Sequence, residues 1–223
     1  MASRQWWFVV WLLGAAFSVR AAVVFPMDAE WRFFKGTQEA SAPDPAAWRT
    51  TGFDDSSWVT GQAAFFYDTD TSANGYTGNT RLSDMQGGYA CIFLRRAFAV
   101  ATPTAVSELQ LEALSDDGFI AWINGREVAR FNVPDGEIPF NGTASPALSE
   151  PIPVQTFTIS NPSTFLVAGK NVIAVQGFNV SLSGSSDFVL NVALASSVDD
   201  VLPVVVELIP PATAQVRELT TIE

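Results

Sequence analysis

The chain has 223 residues with 12 basic against 23 acidic side chains, no histidine and a single cysteine. Its net charge of −11 works against nucleic acid and anionic membrane surfaces, where Lys/Arg contacts supply most of the affinity. Without histidine there is no Ser-His-Asp or Cys-His catalytic pair and no His-containing zinc site, and Cys91 alone closes no intrachain disulfide.

Residues 1–21 are predicted to be a secretory signal peptide. Arg4 supplies the charge, Trp6 to Leu13 lie in the apolar stretch, and Val19 and Ala21 are the small residues at the cleavage site, with Ala22 as the alternative. The apolar stretch is about 15 residues long, short of the ~20 that span a bilayer, so cleavage and a secreted or cell-surface location are expected rather than an anchor. Cleavage would leave 10 basic against 23 acidic residues, a net −13. Trp31–Phe34 reads as a first strand. Asp44 as N-cap and Pro45 at the first helical position predict one helical turn ending at Trp48. Phe53–Trp58 reads as an acidic turn held by aromatics. Tyr67–Gly88 has neither helical nor strand period and is expected to be a long functional loop.

Beyond it the strand signal is regular. Tyr89–Val100 is apolar around Arg95 and Arg96 and holds Cys91, which reads as a small core residue. Ser107–Leu114 alternates strictly, with Leu109, Leu111 and Ala113 on one face. Asn124-Gly125 between two short strands predicts a two-residue type I′ hairpin. Val133–Pro153 reads as a loop, and Gln155–Ile159, Asn171–Phe178 and Asp187–Leu194 as further strands. Short strands with turn signals and almost no helical period give an all-β sandwich over residues 22–197. Residues 198–223 read as a linker and the opening strands of an immunoglobulin-like domain that the chain does not finish, because some twenty residues bury no apolar face of their own.

Trp31, Phe53–Trp58, Asp116-Asp117-Gly118, Trp122–Val128, Leu166–Val175 and Ser185–Phe188 follow one another in an order that resembles the galactose-binding-domain-like jelly rolls, including the N-terminal domain of family 2 glycoside hydrolases. The chain is also similar to N-terminal modules of large secreted bacterial proteins with immunoglobulin-like or lamin-tail-like domains. The resemblance implies a jelly-roll β-sandwich and a sugar-binding role. It implies no hydrolase activity, since the barrel carrying the catalytic carboxylates is missing from the sequence.

Pyranose faces stack on aromatic rings while polar groups engage their hydroxyls. Tyr67, Tyr76 and Tyr89 frame the long loop, and Asn74, Asn79, Arg81 and Asp84 supply polar groups, so these seven residues form the expected ligand site for polysaccharide. Asp70, Ser72 and Asn74 ahead of Gly75 match the first half of a calcium loop, with Asp68 beside them. The acid that should close such a loop is replaced by Arg81, which leaves calcium weakly supported. Asp54-Asp55 and Asp116-Asp117 are expected to cap turns. The reading is a non-catalytic exported carbohydrate-binding-like module; a structural spacer or protein-interaction module without a ligand is the alternative. Asn141-Gly-Thr143 and Asn179-Val-Ser181 are formal glycosylation sequons.

Overall fold

Alternation of apolar and polar side chains along extended backbone sorts them onto opposite faces, and the computed structural model, which describes residues 20–70 and 75–198, turns that pattern into two packed sheets. In chain order the described strands are β1 (Arg20–Phe25), β2 (Glu30–Lys35), β3 (Val59–Gln62), β4 (Phe65–Asp68), β5 (Thr80–Arg81) and β6 (Cys91–Val100). They continue with β7 (Val106–Asp116), β8 (Gly118–Ile123), β9 (Arg126–Phe131), β10 (Gln155–Ser160), β11 (Gly169–Phe178) and β12 (Asp187–Val198). The first sheet runs β10-β7-β12-β4-β5, with β1 also paired to β12; the second runs β3-β2-β6-β11-β8-β9. The all-β sandwich expected from the sequence is therefore present.

Between the sheets lies a core that includes Trp31, Leu94, Phe98, Leu109, Leu111, Ala113, Ile173, Val175, Leu190 and Val192. Two further clusters cover outer faces. Trp48, Trp58 and Trp122 pack with Cys91, Phe93, Ile120 and Phe178 on the outside of the second sheet. Ala64, Phe66 and Val189 pack with Leu114 and Tyr76 on the outside of the first. The four tryptophans among the described residues are buried, and three of them serve the outer layer that the segments 36–58 and 133–144 lay over the sheet.

Arg95 holds that layer down. It is 1% exposed, ion-paired through Nε to Asp55 Oδ2 at 2.8 Å, and donates to the carbonyls of Trp48, Thr50 and Phe53. A buried guanidinium is tolerable only when its donors are matched in this way. Cys91 is buried, which pushes its thiol up to about 12, and it donates to the Phe140 carbonyl.

The Asn124-Gly125 turn has φ of 52° and 86° at its two positions and joins Ile123 to Arg126, as a two-residue type I′ hairpin requires. The helical turn differs from expectation. It is a single 3₁₀ turn over Ala47–Arg49, and Asp44 caps the backbone ahead of it by accepting from Ala46 N at 2.8 Å. The long loop is also shorter than its composition predicts. Tyr67 and Asp68 belong to β4, and Thr80-Arg81 form β5, a parallel partner of β4. The two-residue length of β5 leaves no period to detect. β1 and β3 carry no alternation long enough to stand out either. Residues 1–19, where most of the signal peptide was expected, and 199–223, nearly all of the proposed second-domain segment, lie outside the described residues.

Candidate functional site

The residues expected around the long loop do not assemble as a sugar platform. Tyr67 is 4% exposed, and its hydroxyl donates to the Ser185 carbonyl at 3.2 Å and accepts from Asn179 Nδ2 at 2.8 Å. Tyr89 is 3% exposed and donates to Asp84 Oδ1 at 2.9 Å. Neither ring offers a face for stacking. Asp84 is paired with Lys35 at 2.6 Å, which holds its carboxyl below the usual range. Asn79 donates to the Ala63 carbonyl, and Arg81 to the Asp68 carbonyl at 2.9 Å. Of the three tyrosines only Tyr76 stays half-exposed. Asn74 and Ser72 lie outside the described residues.

The expected calcium loop is likewise organised differently. Asp68 is buried, and its two carboxylate oxygens accept from the backbone N–H groups of Asp70 and Tyr76, both at 2.6 Å. Asp68 thereby orders the loop that follows it, using its lone pairs on backbone donors.

A different acidic group forms beside it. β4, β12 and β7 lie side by side, with Asp68 opposite Asp187 and Asp116 opposite Val189. Side chains two apart share a face, so Asp68, Asp116 and Asp187 all project from the outer side of the first sheet. The 147–154 segment adds Glu150. One carboxylate oxygen each from Asp116, Glu150 and Asp187 lie within 4.8 Å of one another. Tyr76 packs over the adjoining Phe66, Val189 and Leu114, and its hydroxyl is enclosed without a hydrogen-bond partner among the described residues.

The electrostatics follow from that crowding. Asp116 is 4% exposed, and burial, with Asp117, Asp187 and Glu150 nearby, pushes its carboxyl up to about 8. Glu150 rises to about 7, first because it shares a hydrogen bond with Asp187 and then through burial and the charges of Asp187, Asp68 and Asp117. None of the ion pairs among the described residues involves Asp68, Asp116, Asp117, Glu150 or Asp187. Three close carboxylates without a basic partner stay together only by sharing protons or a cation. Calcium binds oxygens at about 2.3–2.6 Å, so oxygens on opposite sides of one ion stand roughly 5 Å apart; the triad fits that span. Two carboxylates flanking a glycosidic bond stand about 5 to 9 Å apart with a sugar between them, and here the oxygens are closer and Asp116 is buried.

The expectation that adjacent acids cap turns holds in part. Asp54 accepts from Ser56 N at 2.9 Å. Asp117 accepts from Leu148 N at 3.1 Å and from Val180 N at 2.6 Å, tying the Glu150 loop and the β11–β12 connection to the hairpin. Asp55 and Asp116 do other work, one pairing with Arg95 and the other joining the triad. Asn179 is 1% exposed and bonded to Tyr67 and to the Asp187 carbonyl, so only the Asn141 sequon is open in the folded chain.

No family model matches the sequence, and no curated protein matches it either. Solved structures do. The β-glucuronidase of Bacteroides uniformis aligns at 18% identity and a TM-score of 0.47, over 80% of this chain and 18% of that one. The β-glucuronidase of Ruminococcus gnavus aligns at 12% identity and a TM-score of 0.48, over 84% of this chain and 30% of that one. A β-glucuronidase of glycoside hydrolase family 2 aligns at 12% identity and a TM-score of 0.42, over 82% and 18% of the two chains. The chain thus spans less than a third of each of these enzymes.

Proposed function

We propose that the protein is an exported, non-catalytic carbohydrate-binding-like module of a larger secreted or cell-surface protein, built as a galactose-binding-like jelly roll. The observation that carries this reading is the meeting of Asp116, Glu150 and Asp187 beside Tyr76 on one outer face. Four separate segments supply those residues, and the fold sustains their mutual repulsion, which is the signature of a site rather than of a solvated surface. Carboxylates accept from sugar hydroxyls, a half-exposed tyrosine offers an apolar edge, and a cation held by the triad has coordination positions left for vicinal hydroxyls. Export is supported by the apolar stretch within residues 1–21, and continuation into a further domain by the apolar pattern of residues 203–223.

The test is a polysaccharide pull-down with the full chain, in calcium and in chelator. Retention on a glycan that is lost in Asp187→Asn supports the reading. A folded protein that binds no glycan in either condition overturns it. The burial of Tyr67 and Tyr89 favours one alternative, a spacer or interaction module without a small-molecule ligand.

A further inference from the structure

We propose that β10 is the edge through which two copies of this chain pair, strand against antiparallel strand, so that their first sheets join into one. β10 ends the first sheet, with β7 as its one partner among the described strands. Its six residues pair with β7 without a break, from Gln155 opposite Ala113 to Ser160 opposite Glu108. In an antiparallel ladder every second residue turns its N–H and C=O away from the partner. Half of the six therefore present both groups at the open edge, and no further backbone bond among the described residues reaches Gln155–Ser160.

An open strand edge is ordinarily guarded by charge, a bulge, proline or short length. The other described edges are guarded in these ways. β9 carries Arg126, Glu127 and Arg130, and its pairing with β8 shifts register between Ala121 and Trp122. β1 begins with Arg20 and shifts register between Val23 and Phe25. β3 has four residues, one of them Gly61, and β5 has two. β10 has none of these devices. Pro153 and Pro162 stand outside the strand and stop it at either end, and the chain from Pro151 to Gly169 contains no charged residue.

The character of the edge selects the occupant. In a chain of net charge −11 a second copy is repelled over most of the surface, and Pro151–Gly169 is a stretch where it meets no like charge. β10 is also self-complementary. A two-fold axis at Thr158 sets that residue opposite its own counterpart, Thr156 opposite the second copy's Ser160, and Phe157 opposite the second copy's Ile159. Hydroxyls then face hydroxyls on the outer side and apolar side chains face each other on the inner side, the cross-strand pairs that stabilise a sheet. Phe157 is only partly buried against the core, held edge-on to Phe119 with centroids 5.5 Å apart, so a second strand laid beside it adds apolar burial to the backbone bonds. Each copy brings one such edge, so the pair closes at two and does not propagate.

Sedimentation equilibrium of the full chain over a range of concentrations tests this, with amide hydrogen exchange measured at the same concentrations. The mass should rise from one chain to two, and the open-edge amides of Gln155–Ser160 should exchange at least about tenfold more slowly at the high end. Thr158 is exposed. Thr158→Lys sets two like charges directly opposite each other and should hold the mass at one chain, with the melting curve of the dilute protein unchanged. Val59→Lys makes the same charge change on β3, where Val59 is 60% exposed, and should leave the pair intact. A one-chain mass up to about 1 mM, a mass that grows past two chains, association that survives Thr158→Lys, or equal loss in Val59→Lys overturns the inference. Open-edge β10 amides protected equally at every concentration overturn it too, because a segment of the same chain then covers the edge.

Discussion

Asp116 shows how far single residues were legible. In sequence it is the first of two adjacent acids before a glycine, and turn capping is the ordinary use of such a pair. Asp117 does that, whereas Asp116 meets Glu150 and Asp187 from segments 34 and 71 residues away, a convergence only the sheet register creates. Its raised carboxyl has a consequence for stability. A group that holds its proton more tightly when folded stabilises fully below its unfolded value, near 3.8, and that contribution is lost as pH rises through about 8. Wild-type melting temperature should therefore fall between mildly acidic and mildly alkaline pH. Asp116→Asn should raise it on the alkaline side by a few degrees, at roughly 2–4 °C per kcal/mol for a chain of this size, and hardly at all below pH 4. A parallel pH profile for the variant would remove Asp116 as the source. On the alkaline side, excess calcium should raise the wild-type midpoint by mass action and a chelator should reverse it. Identical curves in calcium and chelator leave the protons, not a cation, as what holds the triad together. In the core, Leu111 is fully buried, and Leu111→Ala should cost about 2–5 kcal/mol in denaturant unfolding.

Elements whose cause is local were readable, and those that depend on distant partners were not. The Asn124-Gly125 hairpin and the Gly169–Val172 step into β11 were each recognisable, but their connection was not. Asn124 Nδ2 donates to Asn171 Oδ1 at 2.7 Å and to the Phe165 carbonyl at 2.9 Å, while its Oδ1 accepts from Val172 N at 2.9 Å. Asn171, fully buried, also accepts from Val167 N at 2.9 Å and donates to the Val167 and Gly169 carbonyls. The two motifs are one hydrogen-bonded joint between β8 and β11. Asn171→Ala should cost more than Lys170→Ala by about 1–3 kcal/mol, the penalty for stranding buried partners; equal unfolding midpoints would show the joint to be dispensable. Gly125 has φ of 86°, and an added Cβ there meets only Thr50 Cγ2 at 3.6 Å. Space is available, so the cost of Gly125→Val comes from the backbone, about 1–3 kcal/mol for a branched residue held in that region. By contrast β5 is two residues long and pairs in parallel with β4, and no periodicity announces such a strand.

For the whole molecule, composition and alternation were enough to specify two layers, but not which face of each layer is covered. Strand alternation puts Trp31, Trp58 and Trp122 on inward faces. Trp31 lies there, whereas Trp58 and Trp122, with Trp48, lie under the outer layer that Arg95 fastens, because a surface-crossing segment rich in aromatics can bury them against the back of a sheet as well as between sheets. The ends of the domain follow from strand pairing. β1 pairs along β12, and Phe25, 1% exposed, packs edge-on to Trp31 with centroids 5.3 Å apart. Phe25→Ala should cost about 3–5 kcal/mol, and signal-peptide cleavage at Ala21 or Ala22 would leave that ring in place. At the other end, β12 already has β7 on one side and β1 and β4 on the other. On one edge β7 pairs with Val189–Val198, and on the other β4 pairs with Asp187–Leu190 and β1 with Leu194–Val198. β12 therefore offers little free edge to a following segment, and the proposal of a second domain rests on the apolar residues Val204, Val206, Leu208, Val216, Leu219 and Ile222 in the sequence. Deleting Pro203–Glu223 should leave the sandwich's melting temperature within about a degree of the full chain, since 1 kcal/mol corresponds to roughly 2–4 °C at this size. A drop of many degrees would make the tail an integral part of this sandwich and remove the case for a second domain beginning there.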